Sequence, residues 1–234
     1  MEKTSISSIT EGHWWSFLLP FPEADDRTRW ATFVLAIFYC IGVVCIAINI
    51  HPDFILLTPL QLLFSVSLML WCHSKWSSRT VIFMVACYVV GFGAELVGVQ
   101  TGLIFGEYSY GPVLGPKWYG TPFMIGVNWI LVTYAAGSLV DQLGISTNAA
   151  VRTVTIALLM VGLDIFIEPV AMAYDFWSWP NNTVPFQNYV GWFVIGLITS
   201  GLYVKFASEK PNKLGSALFI MQFLFFLLLN IFGL

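Results

Sequence analysis

A chain of 234 residues that is 58% hydrophobic and 10% charged, with a mean hydropathy of +0.79, is built for lipid and not for water. Its net charge of −3 comes without a basic field, which argues against nucleic acid as a partner. The apolar stretches leave no room for a soluble domain.

Residues 1–29 read as an N-terminal arm. Glu11, Glu23, Asp25, Asp26 and two prolines rule out a cleavable signal with a basic start and an apolar centre. The arm is either flexible or interfacial, docked by Trp14, Trp15 and Phe17. From residue 30 to 234, at roughly 20 residues per crossing, the apolar stretches predict seven spans, near 30–50, 54–72, 80–102, 121–140, 151–173, 189–206 and 214–233. They lack the alternation of a membrane barrel and are too long for strands, so helices must satisfy the backbone internally. The expected fold is all-α, a polytopic seven-transmembrane-helix bundle.

Seven spans place Lys3, Arg27, Arg29, Lys75, Arg79, Arg152, Lys205, Lys210 and Lys213 on the N-terminal side, against Lys117 alone on the other. Basic residues collect on the cytoplasmic side, so the N-terminus is expected in the cytoplasm and the protein in the plasma (inner) membrane.

Span five carries Asp164 and Glu168 in the run VGLDIFIEPVAMA, with no Lys or Arg to neutralise them. Carboxyls in hydrocarbon are costly and mark function by default. The four-residue spacing puts both on one helix face, where they compete to ionise and at least one should keep its proton. Pro169, directly after Glu168, is expected to kink the helix and free a carbonyl.

Other polar groups reach the same depth. Span three runs outward and holds Glu95 about 10 Å below its end at ~1.5 Å per residue, and span four runs inward from Thr121, which places Asn128 at a similar depth. These groups and the acid pair therefore share the outer half of the bilayer. Two aromatic loops cap this layer, one from Phe105 through Glu107, Tyr108 and Tyr110 to Tyr119, the other from Tyr174 through Trp177 and Trp179 to Asn188 and Tyr189. Trp177, Trp179 and Trp192 can serve a pocket, although aromatic residues at helix ends more often form an interfacial belt.

Several chemistries are disfavoured. His13, His51 and His73 fall in the arm or at span ends, which leaves no intramembrane pair for haem or a metal. Span seven has no lysine for a retinal Schiff base. Cys40, Cys45, Cys72 and Cys87 form no CxxC and read as small core residues. No Gly-rich nucleotide fingerprint follows a strand. A redox-neutral acid site without metal or cofactor remains. An apolar substrate entering from the bilayer could take a proton on a carbon–carbon double bond. Aromatic faces and a nearby carboxylate would stabilise the resulting cation. Water, a second double bond or loss of another proton would then quench it.

The blocks GEYSYGPVLG (106–115), GTPFMIGVNWILVTYAA (120–136), LDIFIEPVAMAYDFWSW (163–179) and VPFQNYVGWF (184–193) occur in this order. Over roughly residues 90 to 195 the chain resembles the membrane carotenoid hydratases, a family of carotenoid biosynthesis proteins. These add water to the terminal double bond of an acyclic ψ-end, as in γ-carotene 1′-hydroxylation or bisanhydrobacterioruberin hydration. The resemblance implies carotenoid 1,2-hydratase activity on an acyclic-end carotenoid in membrane lipid, with no cofactor. It also implies Asp164, Glu168 and Glu95 as catalytic groups and Glu107, Tyr108, Tyr110, Asn128, Tyr134, Trp177, Trp179, Asn188 and Trp192 as substrate-binding residues. Either Asp164 or Glu168 would protonate C2, the other helping water reach C1. A membrane lycopene cyclase or a carotenoid-binding or transport protein would fit the same residues, and oligomeric state is not legible.

Overall fold

A computed structural model describes residues 24–208 and 210–233. The arm residues His13, Trp14, Trp15 and Phe17, with Lys3, lie outside the described residues. The described residues form seven helices long and apolar enough to cross a membrane. They are α1 (Asp26–Ala47), α2 (Thr58–Trp71, led in by a 3-10 turn over Pro52–Leu57), α3 (Ser78–Thr101), α4 (Phe123–Leu143), α5 (Ala149–Ala173), α6 (Phe186–Phe206) and α7 (Lys213–Phe232). The shortest spans have 20 residues, about 30 Å at ~1.5 Å per residue, enough for the hydrocarbon layer. The chain is therefore an all-α integral membrane protein.

Local sequence explains the helix starts. Asp25, Ser77, Asn148 and Asn212 precede α1, α3, α5 and α7, and each side chain accepts a first-turn N–H that has no partner within its helix. α1 thus begins at Asp26, four residues before the expected span start at 30. Pro122 and Pro185 precede α4 and α6. Pro169 lies inside α5, which continues through it to Ala173. Asn230 of α7 donates to the Phe166 carbonyl at 2.8 Å and so braces α5 next to the proline.

α4 is the central helix and packs against α2, α3, α5, α6 and α7. α1 packs on α7 and α2 on α4, and the two meet through Phe38 and Phe64, whose ring centroids lie 4.9 Å apart. The outer faces present Phe33, Ile41, Leu60, Val85, Leu158 and Val194, the surface that suits lipid tails. Cys72 and Cys87 are buried as expected of core residues, while Cys40 is exposed on α1.

The two ends of the bundle differ. Arg27, Arg29, Lys75, Arg79, Arg152, Lys205, Lys210 and Lys213 gather at one end. There Arg152 pairs with Asp141 and reaches Ser208, tying the α4–α5 turn to the end of α6. The opposite end carries the two aromatic loops. Two-residue strands β1 (Ser109–Tyr110) and β4 (Trp177–Ser178) pair antiparallel and staple one loop to the other, while β2 (Lys117–Trp118) pairs with β3 (Thr121–Pro122) inside the first. Gly111 donates its N–H to the Phe176 carbonyl at 2.9 Å, and a Cβ there would collide with the Asp175 main chain.

Candidate functional site

Beneath the stapled loops three buried carboxyls meet a wall of aromatic donors. Glu95 leaves α3 and accepts three bonds: Oε2 from the Tyr108 and Tyr110 hydroxyls at 2.6 and 2.7 Å, and Oε1 from the Trp129 indole at 3.0 Å. Glu168 of α5 also accepts three, with Oε2 taking the Trp177 and Trp179 indoles at 2.9 and 2.8 Å and Oε1 the Asn188 amide at 2.9 Å. The same Asn188 Nδ2 donates to Asp164 Oδ2 at 2.9 Å, so one amide bridges two acids. Asp164 Oδ1 is buried and has no partner among the described residues.

Ring contacts join the two halves. Tyr108 lies against Trp179 with centroids 5.0 Å apart, Tyr110 meets Trp177 edge-on at 6.0 Å, and Trp129 stacks on Trp192 at 4.5 Å. This places electron-rich faces around the acids. Burial, and next the negative charge of Glu95, hold the Tyr108 and Tyr110 phenols well above their usual pKa, so both remain O–H donors.

An apolar cavity of about 570 Å³ adjoins the cluster. Its walls come from α1 and α2 (Tyr39, Phe64), α4 (Ile125, Asn128), α5 (Ile167, Ala171) and α7 (Gln222, Phe225). Trp177 lines this cavity while its indole N–H holds Glu168, so the ring stands between cavity and carboxyl. The carboxyls themselves lie behind that lining.

Of the residues singled out in the sequence, Glu95, Tyr108, Tyr110, Asp164, Glu168, Trp177, Trp179, Asn188 and Trp192 come together, and Asn128 faces the cavity. Two do not join them. Glu107 is exposed on the loop, its neighbours in sequence turning inward in its place. Tyr134 lies six residues past Asn128, about 9 Å further along α4, and points to the basic end. There it contacts His73 Nδ1 at 2.5 Å and Asn212 Nδ2 at 3.4 Å. Being one more polar aromatic on the same span did not put it in the acid layer, because helix rise carries it past.

Sequence reading passed over two residues. Trp129 stands next to Asn128, and its packing needs Gly91, where a Cβ would overlap the indole. Gln222 is an isolated amide in the middle of the apolar α7, a signal of the same kind as Glu95.

A seven-helix membrane protein with a carboxyl cluster beside an apolar chamber is the class these features define. The family model for carotenoid biosynthesis proteins matches residues 57–234, and the chain belongs to that family. It is also 31% identical over 208 residues to the bisanhydrobacterioruberin hydratase of Haloarcula japonica, covering 79% of this chain and 70% of that protein. No solved structure matches.

Proposed function

We propose that the protein is a cofactor-independent carotenoid 1,2-hydratase acting on the acyclic end of a carotenoid dissolved in the membrane. The observation that carries this reading is the unequal sharing of hydrogen bonds among three buried carboxyls. Glu95 and Glu168 each accept three donors, the surroundings of a carboxylate. Asp164 accepts one and keeps an oxygen free, the surroundings of a carboxylic acid able to give its proton.

In this scheme the polyene lies in the apolar cavity with its terminal double bond toward Asn128 and Ile167. Access to the acids requires the Trp177 ring to shift. Asp164 gives its proton to C2, the π bond breaks and positive charge appears at C1. The indole and phenol faces stabilise that cation by ~0.5–2 kcal/mol each. The Glu168 and Glu95 carboxylates add through-space attraction in a site of low polarity. Water bonds to C1, and its surplus proton returns to the Asp164 carboxylate. The net change is one added water with no change of oxidation state. The Haloarcula japonica relative, a hydratase by name, supports the same reaction class. The basic end is assigned to the cytoplasm, which puts the acids in the outer half of the inner membrane.

The test is to incubate membranes bearing the protein with γ-carotene and weigh the product. A gain of one water is expected, and Asp164→Asn should lower turnover by about 10²–10⁴-fold, the usual contribution of a positioned acid. An isomer of unchanged mass would instead mean that a double bond captures the cation, as in a cyclase. Full turnover by Asp164→Asn would remove that residue as the proton donor.

A further inference from the structure

Besides Asp164 Oδ1, a second oxygen near the cavity is buried without a partner: Oε1 of Gln222, whose residue is 3% exposed in α7. Gln222, buried, and Asn128, half-buried, both line the cavity, and neither side chain bonds to another described residue. Leaving a buried amide oxygen unpaired is costly, and native proteins rarely do so without a water, ion or ligand to meet it.

Contacts between helices set the heights of these groups. Thr133 of α4 meets Met160 of α5 at 3.7 Å. Asn128 is five residues from Thr133 and Asp164 four from Met160, both toward the aromatic loops, so their heights differ by about one residue's rise of ~1.5 Å. Phe166 of α5 and Phe223 of α7 lie 4.8 Å apart between centroids. Asp164 precedes the first ring by two positions and Gln222 the second by one, again a difference of about one rise. Three helices therefore bring an acid and two amides to one level, the amides on the cavity wall and the acid behind it, while the wall's other polar side chains besides Trp177 are Tyr39, Thr58 and Gln61 of α1 and α2.

We propose that Gln222 and Asn128 form the subsite that holds the water added to the substrate, next to Asp164. The amides provide acceptors for the O–H bonds of that water and a donor to its oxygen, which directs a lone pair at C1. As its oxygen bonds to C1, the proton it sheds passes to the Asp164 carboxylate left by the first step. Atoms and charge then balance, and the acid is restored. Gln222 is a positioning residue here, acting through the water and not on the alkene. The inference rests on the hydratase reading above.

Proton transfer and water capture separate in heavy water. After deuteron transfer to C2, a cation that water fails to capture loses a proton and returns as unhydrated carotenoid carrying deuterium. Membranes bearing the unaltered chain, given γ-carotene in D2O, should yield mainly hydrate. In Gln222→Leu the ratio of hydrate to deuterated, unhydrated carotenoid should fall about tenfold, the effect of one hydrogen bond lost at a reacting group, while exchange persists. Asn128→Leu reads the same ratio, and serves alone should Gln222→Leu fail to accumulate. A ratio unchanged in the variants that accumulate, whatever the overall rate, overturns the subsite and makes these amides structural. If the unaltered chain neither hydrates nor exchanges, the hydratase reading falls and takes this inference with it.

Discussion

Asn188 shows how much one side chain decides at this site. Its single amide nitrogen donates one hydrogen toward Asp164 and one toward Glu168, which orients the two carboxyls relative to each other. Glu168 is further fixed by two indoles, so the freedom left in the pair belongs to Asp164 Oδ1. Gly91 exerts a similar control on Glu95 from a distance. A methyl group at Gly91 would occupy the space of the Trp129 ring, and the ring's N–H is one of the three donors on Glu95. Gly91→Ala is expected to displace that indole and cost about 1–3 kcal/mol, the usual range for overpacking. A lowered melting temperature in detergent, together with a shifted tryptophan emission maximum, would register it, and an unchanged melting curve would contradict this packing.

The elements act through their junctions. β1 and β4 have only two residues each, yet their pairing unites loops more than sixty residues apart and sets Tyr110 opposite Trp177. Ser109 and Ser178 are directly paired, with hydroxyls 3.1 Å apart. Cysteines introduced at both positions should therefore form a disulfide under mild oxidation, visible as a mobility shift that a reductant reverses. Unpaired loops would give no such band. At the other end of the bundle Arg152 joins Asp141, which also accepts from Tyr203 at 3.0 Å and Ser208 at 2.6 Å. Arg152→Met leaves this partly buried carboxylate without its cation. A cost of about 3 kcal/mol is expected, seen as earlier thermal unfolding, with the hydrated-to-unhydrated product ratio of the folded protein unaltered.

For the molecule as a whole, the separation of charge from acid layer gives the expected placement in the bilayer. The basic end should face the cytoplasm, and seven crossings then put the C-terminus on the far side. Alkaline phosphatase fused after residue 233 should be active, whereas fusions in the α4–α5 turn near residue 146 should be silent. The reverse pattern would invert the bundle and bring the acids to the inner half. The cavity also has a consequence at this scale. Residues of α1 and α2 that line it, Ile41 and Leu60 among them, are exposed on the outer faces, the part of the bundle where a long hydrocarbon could enter sideways.

Composition and apolar run length alone were enough to determine a seven-helix membrane bundle, since lipid forces every long apolar segment into a helix of fixed minimum length. The i, i+4 spacing of Asp164 and Glu168 placed them on one face for the same reason, because helix geometry is local. Depth along each helix was legible too, which is why Glu95, Asn128 and the acid pair were expected in one layer. Rotation of each helix about its axis was not legible, because mostly apolar spans carry little record of which side meets protein and which meets lipid. Only packing decided that Trp129 turns its indole to Glu95 and that Gln222 reaches the cavity. Only packing, too, showed which carboxyl is left with an unpartnered oxygen, since that depends on donors arriving from four separate stretches of the chain.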